Sequence, residues 1–197
     1  MVTLAWQDSP ENIWLVLHGN GGQASDRTYM IPHFSESDSV YILEYPGYGT
    51  RSGSPSKKSI DTAAKEAYLF LREQFPSIPL FVAAESTGSE PALTLIDLPE
   101  KPDKYVLIVP FDNLPRVINH HTNTIVSSIF FRDNWNNIDA IQNYNGPVSI
   151  YGAEDDRIIP LDHARRLAQS YLKSKFIILP GGHNEWSRHS NLRFRYP

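Results

Sequence analysis

The segment "PLFVAAESTGSEPALTLIDL" at residues 79–98 decides the fold, because a strand, a corner and a helix follow one another within it. Its first part, read together with Ile78, is "IPLFVAAE", an apolar stretch bounded by prolines, which is typical of a buried strand. The second part, "SEPALTLIDL", has helical spacing. Ser86 therefore stands at a predicted corner between a strand and a helix.

Apolar stretches of the same kind recur along the chain and alternate with segments of helical period. Besides residues 79–86, the predicted strands are 12–19, 39–46, 104–111, 147–154 and 175–182. Their nearly continuous hydrophobicity indicates burial on both faces, as in parallel sheets. The alternation predicts an α/β domain with a doubly wound, mostly parallel sheet of about six to seven strands. The seventh would be an edge strand at the front, where Val2, Leu4 and Trp6 alternate with other residues.

Two segments between the strands have the periodicity of amphipathic helices. The first, at residues 59–75, places these residues on one face: Ile60, Ala63, Ala64, Ala67, Tyr68, Leu71 and Phe75. The second, at 162–172, repeats these residues at helical spacing: Ala164, Leu167, Ala168, Tyr171 and Leu172. His163, in this second segment, is predicted to lie on the helix surface.

Size and composition favour one globular domain over residues 1–197. The chain has 41% hydrophobic and 20% charged residues, and no apolar run long enough to span a bilayer, so we expect a soluble protein. Its start lacks the pattern of a secretory signal, which makes a cytoplasmic location the default expectation. A net charge of −4 gives no electrostatic footprint for nucleic acid, and the lack of cysteine excludes disulfides and thiolate chemistry.

The corner at Ser86 has the pattern of an activated serine. A serine hydroxyl is a poor nucleophile until a base takes its proton, so it must stand clear of its strand near a histidine. The stretch "AESTG" at 84–88 resembles the nucleophile elbow G-x-S-x-G of the α/β-hydrolase superfamily, with Ala84 in place of the first glycine. Alone the pattern is weak, since serine beside glycine is commonly a turn.

Two later segments extend this resemblance, which covers residues 12–190. "YGAEDDRIIP" follows the fifth main strand, where the superfamily places a catalytic acid, and "LPGGHNEW" follows the sixth, where it places the histidine, here His183. The acid is Asp155 or Asp156. Counting back four residues from the loop proline favours Asp156, whereas counting forward three from Gly152 reaches Asp155. We favour Asp156 as the acid.

The glycine-rich segment "LHGNGG" at 17–22 matches the place where similar hydrolases supply an oxyanion-hole amide. The resemblance implies one donor from Asn20 and the other from Thr87, the residue after the serine. His18 is interpreted as structural. The segment lacks the lysine and the spacing of a phosphate-binding Walker motif.

The one long insertion, residues 112–146, corresponds to the cap of this superfamily and is short enough to predict a small cap over an accessible pocket. Aromatic residues that could line the pocket, or simply pack in the core, are Phe111, Phe130, Phe131, Trp135 and Trp186. His120 and His121 lack a carboxylate at ligand spacing and are assigned to a solvated loop.

The resemblance is to small lipase/esterase-like and prolyl-oligopeptidase-like serine hydrolases. It departs at the N-terminus, where few residues precede the first core strand and leave room for one leading strand at most. It implies cleavage of a carboxylic ester or thioester in a small acyl substrate, with no metal or organic cofactor. A peptidase or amidase with the same residues, and a non-catalytic binding protein of the same fold, remain as alternatives. The oligomeric state is left open.

Overall fold

The computed structural model describes residues 1–120 and 135–194, which are built around a seven-stranded sheet. The strands are β1 (Val2–Ala5), β2 (Asn12–Leu17), β3 (Asp38–Ile42), β4 (Leu80–Glu85), β5 (Lys104–Ile108), β6 (Val148–Ala153) and β7 (Ser174–Leu179). Their order across the sheet is β1-β3-β2-β4-β5-β6-β7, and every neighbouring pair is parallel except β1 with β3. The predicted α/β architecture is confirmed.

Helices cover the two faces of the sheet. The α-helices are α1 (Lys57–Gln74), α2 (Ser89–Leu93), α3 (Leu114–His120), α4 (Asn137–Ile141) and α5 (Leu161–Ser170). The 3₁₀ helices are Ala24–His33, Ser86–Gly88, Thr94–Asp97 and Trp186–Arg188. Alternate residues of β2 show the two layers, because Ile13 and Leu15 pack in the cluster that contains α1 and α5, and Trp14 packs in the opposite one.

Helix α1 forms as its periodicity predicts. Ser56 caps its N-terminus by accepting a hydrogen bond from the Ser59 amide, and the predicted apolar face is buried up to Leu71. Phe75, the last predicted member of that face, is the C-cap and is partly buried against the same core. Within the residues that the structure describes, no helix combines the length and the apolarity needed to cross a membrane.

Two sequence predictions about the ends of elements are wrong. Leu172 was placed on the apolar face of the second helix, but α5 ends at Ser170, Tyr171 takes an extended conformation, and Leu172 is 99% exposed. Trp6 lies beyond β1 and is 57% exposed, because the register with β3 shifts between Thr3 and Ala5 and the strand stops there.

The six predicted main strands are all present, and each ends one to four residues before its apolar stretch does. The surplus apolar residues belong to loops that stay buried, such as Val109 and Phe111 after β5. The carboxyl ends of the parallel strands meet at one edge of the sheet, which is where open α/β sheets bind ligands. The ends of β2, β4, β6 and β7 carry the predicted site residues, which are Asn20, Ser86, Thr87, Asp156 and His183.

The predicted cap at residues 112–146 lies partly outside the described residues. Its described parts are α3, α4 and an isolated antiparallel bridge between Asn113 and Asn136. His121, Phe130 and Phe131 fall outside the described residues, and of His120 only the backbone position at the end of α3 is described. The small cap stays a prediction.

Candidate active site

Ser86 occupies a strained corner directly after β4. Its φ is 53°, in the left-handed region that a residue with a side chain seldom adopts, and the chain enters a 3₁₀ helix at the same residue. Ser86 is 6% exposed. The corner turns the chain sharply between β4 and α2, as the sequence pattern predicted.

Glycine at position 88 is required by a close approach between the corner and β2. A Cβ placed on Gly88 would lie 2.2 Å from the carbonyl oxygen of Leu17, a distance that backbone atoms could not relieve. Ala84, which stands where the superfamily pattern has its first glycine, is a fully buried strand residue paired with Leu17 and Leu107.

Asp156 follows β6 and is held by two backbone amides. Its Oδ1 accepts hydrogen bonds from the amides of Ile158 and Ile159, both at 2.8 Å, and the side chain is buried. Asp155 is exposed, and its amide donates to the carbonyl of Gly181. The acidic loop therefore turns one aspartate inward and the other outward.

His183 follows β7 on a loop shaped by glycine. Gly181 has φ of 91°, and the Gly182 amide donates to Glu185 Oε2 at 2.8 Å, which closes the turn that carries the histidine. His183 Nδ1 lies 2.7 Å from Asp156 Oδ2, and its Nε2 lies 3.0 Å from Ser86 Oγ. The structure thus brings Ser86, His183 and Asp156 into one hydrogen-bonded chain.

The tautomer of His183 follows from its neighbours. A carboxylate only accepts hydrogen bonds, so Nδ1 carries the proton that is donated to Asp156. Nε2 is then the acceptor for the hydroxyl proton of Ser86. This arrangement gives the serine a base on one side and gives that base an anionic partner on the other.

The segment after β2 lies against the serine corner. A Cβ on Gly19 would be 3.1 Å from Ser86 Cβ, so the backbone passes the corner at van der Waals distance. Asn20 is exposed, and its Oδ1 accepts a hydrogen bond from the Tyr48 hydroxyl at 2.8 Å. Thr87 is half-buried in the 3₁₀ turn that Ser86 begins.

His18 is fully buried beneath that segment. Burial lowers its pKa to about 4, so the ring is neutral at pH 7. Its Nδ1–H donates to the Gly19 carbonyl at 2.8 Å, and Tyr45 donates its hydroxyl to the His18 carbonyl at 2.9 Å. These contacts fix the backbone conformation at the start of the glycine-rich segment.

The aromatic residues named as possible pocket lining pack in the interior where they are described. Phe111 and Trp135 are stacked with ring centroids 6.2 Å apart, and Trp186 is fully buried against Tyr29. The described residues beside Thr87 border a small, partly open pocket of about 10 Å³, lined by Tyr45, Tyr48, Ile60, Thr87, Gly88, Pro91 and Trp135.

One charged residue at the corner was not singled out in the sequence. Glu85, directly before Ser86, is 5% exposed and accepts hydrogen bonds from Arg27, Tyr29 and Trp186. Its signal was available, since a glutamate at the end of an apolar strand must find partners when it is buried. Arg27 lies 58 residues earlier and has no comparable signal in the sequence.

Sequence comparison finds relatives over most of the chain. It is 27% identical over 187 residues to lysophosphatidylserine lipase ABHD12 of Danio rerio, with 85% of this chain and 49% of that protein covered. It is 29% identical over 176 residues to an uncharacterized protein of Mycobacterium tuberculosis, with 87% and 62% covered. No family model matches the chain.

Solved structures of the same architecture superpose on nearly the whole chain. Esterase Pf2001 of Pyrococcus furiosus has a TM-score of 0.73 at 12% identity, covering 94% of this chain and 82% of the esterase. The protein TT1662 of Thermus thermophilus has a TM-score of 0.72 at 18% identity, covering 94% and 87%. The chain has the α/β-hydrolase fold.

The relatives and structural neighbours whose names state an activity include a lipase and an esterase, which are both hydrolases. The chain spans only about half to two thirds of the length of the sequence relatives just described. The superfamily places its reactive groups at the ends of the strands where Ser86, His183 and Asp156 meet in this structure.

Proposed function

We propose that this α/β-hydrolase cleaves a carboxylic ester or thioester through an acyl-enzyme intermediate formed on Ser86. The observation that carries the proposal is the chain of two hydrogen bonds, 3.0 Å from Ser86 Oγ to His183 Nε2 and 2.7 Å from His183 Nδ1 to Asp156 Oδ2. A nucleophile, a base and an orienting carboxylate within hydrogen-bond reach are the parts that acyl transfer requires.

The first half of the reaction transfers the acyl group to the protein. Ser86 Oγ attacks the carbonyl carbon while its proton passes to His183 Nε2, and Asp156 stabilises the imidazolium. The tetrahedral intermediate collapses when the bond to the leaving group breaks and His183 returns the proton to that group. Water then repeats the same steps on the acyl-enzyme, which releases the acid and restores Ser86.

The backbone amides of Thr87 and Asn20 are the proposed donors to the oxyanion. The Ser86 carbonyl accepts hydrogen bonds from the Ser89 amide and, at 2.7 Å, from the Ser89 hydroxyl. In a planar trans peptide the N–H points opposite to the C=O, so the Thr87 amide points out of the N-terminal end of this turn. Helix N-termini favour negative charge.

An ester is the favoured substrate bond. The zebrafish relative is named for a lysophospholipid, whose acyl group is held by an ester, and the archaeal structural neighbour is named an esterase. Esters and thioesters also need less assistance to the leaving group than amides do. The proposed substrate is a small molecule that carries an acyl group. The proposed reaction uses side chains and backbone amides, and calls for no metal or organic cofactor.

A fluorophosphonate probe tests the nucleophile, because it reacts with an activated serine and leaves a tetrahedral adduct. We expect stoichiometric labelling at Ser86, none in Ser86→Ala, and wild-type labelling in the control Ser170→Ala, whose hydroxyl donates to Leu167 far from the site. Labelling of Ser86→Ala at the wild-type level would contradict the proposal.

A substrate panel tests the bond. We expect p-nitrophenyl esters to be hydrolysed faster than aminoacyl-nitroanilides at equal concentrations of labelled sites. The reverse order would make the protein a peptidase or amidase, and no turnover with no label would leave a binding protein of the same fold.

A further inference from the structure

Arg27 connects the glycine-rich segment after β2 to the serine corner. Its Nη1 donates to Glu85 Oε2 at 3.3 Å, next to Ser86, and to the Tyr29 hydroxyl oxygen at 3.0 Å. Its Nη2 donates to the carbonyls of Gly21, at close range, and of Gly19, at 3.4 Å. One guanidinium therefore spans the two segments that supply the proposed oxyanion donors.

Glu85 joins a third segment to the same point. Trp186, three residues after His183, donates its indole N–H to Glu85 Oε1 at 2.9 Å, and the Tyr29 hydroxyl lies 3.0 Å from both carboxylate oxygens. Burial, reinforced by Glu85, raises the pKa of Tyr29, so that its hydroxyl stays a donor. The carboxylate thus links the serine corner, the histidine loop and Arg27.

The direction of the Asn20 amide depends on these contacts. The Gly19 carbonyl and the Asn20 N–H belong to one planar trans peptide and point in opposite directions. The His18 ring and Arg27 both donate to that carbonyl, from within the protein. Holding the carbonyl inward turns the Asn20 N–H to the opposite side of the peptide.

Stability alone does not account for a buried ion pair at this place. Replacing such a pair by apolar residues of similar volume is often neutral or stabilising, since removing two charges from water costs about as much as their attraction returns. The side chains of Arg27 and Glu85 are 13% and 7% exposed. What an apolar pair would not supply is two directed bonds to the carbonyls of the glycine-rich segment.

We infer that Arg27 and Glu85 are positioning residues, which fix the Asn20 amide as an oxyanion donor relative to Ser86. The inference rests on the proposed function, because it concerns the same acyl transfer. A misdirected donor affects the charge that develops on the carbonyl oxygen and leaves binding of the uncharged ester nearly unchanged. The role therefore predicts a loss in kcat without a matching change in KM.

The test compares Arg27→Met with the wild type on a p-nitrophenyl ester, with active sites counted by end-point fluorophosphonate labelling. We expect kcat per labelled site to fall by about 10²-fold and KM to change by less than about threefold. The affinity for a trifluoromethyl ketone, whose adduct carries an oxyanion, should fall by a factor similar to that of kcat.

Arg72→Met is the matched control. Arg72 also bonds a tyrosine hydroxyl, a carboxylate and a backbone carbonyl, in this case those of Tyr68, Asp103 and Ile78, and does so away from the site. The Arg72→Met substitution should lower the melting temperature and leave kcat per labelled site unchanged. Where Arg27→Met does not fold, Glu85→Gln is the second variant, because it keeps the size of the side chain and removes the charge that pairs with Arg27. It should lower kcat at least about tenfold in the same assay.

The outcomes separate the two proposals. An Arg27→Met or Glu85→Gln protein with wild-type kcat per labelled site and wild-type affinity for the ketone overturns the positioning role alone. A wild-type protein that takes no label and hydrolyses no ester overturns the proposed function, and the positioning role with it.

Discussion

Two buried aspartates in this protein contact the Nδ1 atom of a histidine, and the two pairs differ in what surrounds them. Asp156 Oδ2 lies 2.7 Å from His183, and Asp112 Oδ1 lies 2.6 Å from His163. Both aspartates follow parallel strands, β6 and β5, at the same edge of the sheet. By distance and burial alone the pairs are equivalent.

The partners of the remaining atoms separate them. The second oxygen of Asp156, Oδ1, accepts hydrogen bonds from the amides of Ile158 and Ile159, and among the described residues it pairs with no arginine or lysine. The second oxygen of Asp112 accepts from Arg116 at 2.7 Å and from Arg166 at 2.6 Å. The charge of Asp112 is thus neutralised by two guanidinium groups, which join α3 and α5 to the end of β5.

The pKa of Asp112 reflects this environment. Burial acts to raise it, but hydrogen bonds from His163, Arg166 and Arg116 outweigh burial and hold the pKa well below its usual range. His163 was predicted on a helix surface and is instead 3% exposed, because the first turn of α5 faces Asp112. An aspartate beside a histidine therefore indicates chemistry only when the far nitrogen meets a nucleophile, as His183 meets Ser86.

The largest expected effect breaks the pair at Asp156. Asp156→Asn removes the anion that fixes the tautomer of His183, so kcat on an activated ester should fall by on the order of 10⁴ with KM similar. Asp155→Asn, the adjacent control on the exposed side of the loop, should change kcat little. Measuring both mutants on one ester decides the matter, and the reverse ranking would move the acid to Asp155.

Breaking the second pair should affect stability and not catalysis. Asp112→Asn removes a buried carboxylate that pairs with two arginines and a histidine, so we expect the free energy of unfolding to fall by about 3 kcal/mol. The kcat per labelled site should stay at the wild-type value. Denaturant unfolding and active-site titration measure the two quantities, and a loss in kcat comparable to that of Asp156→Asn would contradict the distinction.

The difference between the pairs also shows what a sequence can and cannot predict. Ser86, Asp156 and His183 were singled out because they match the superfamily pattern directly after strands whose hydrophobicity is evident, and parallel strands bring their carboxyl ends together. The contact between Asp112 and His163 spans 51 residues and depends on how α5 is rotated about its axis. No local pattern encodes that rotation, and the alternation of apolar residues in α5 was compatible with His163 facing outward.

The same reasoning applies to the support of the candidate site. The corner at Ser86 could be predicted because glycine and small residues mark a close approach, whereas the link from Arg27 to Glu85 depends on the course of a 3₁₀ helix with weak periodicity. The end of α5 was misplaced at Leu172 because the helical spacing of apolar residues continues in the sequence after the backbone has become extended. Backbone classes and the residues at the strand ends were predictable from short-range pattern, whereas the polar contacts of Arg27 and His163 were not.

Lowering the pH should reveal the contribution of the Asp112 pair to the free energy of unfolding, as a smaller effect than that of Asp112→Asn itself. Its folded-state pKa lies below that of an unfolded aspartate, about 3.9, so its contribution to stability is complete above that value and is lost as pH falls toward the folded-state pKa. The wild-type free energy of unfolding should therefore fall more steeply between pH 4 and pH 2 than that of Asp112→Asn. Urea titrations at several pH values in this range measure both slopes, and parallel slopes would contradict the assignment.

The smallest expected effect tests how the arginines share the charge of Asp112. The Arg116 side chain is 53% exposed and pairs with Asp112 across one turn of the chain, so water replaces much of what the pair supplies. Arg116→Met should lower the free energy of unfolding by less than about 1 kcal/mol, because Arg166 and His163 still donate to the carboxylate. Asp112→Asn, which removes the acceptor of all three groups, should cost several times more in the same denaturant assay. Equal losses in the two mutants would mean that Arg116 carries the interaction alone, and that the carboxylate of Asp112 is not the shared centre of a network.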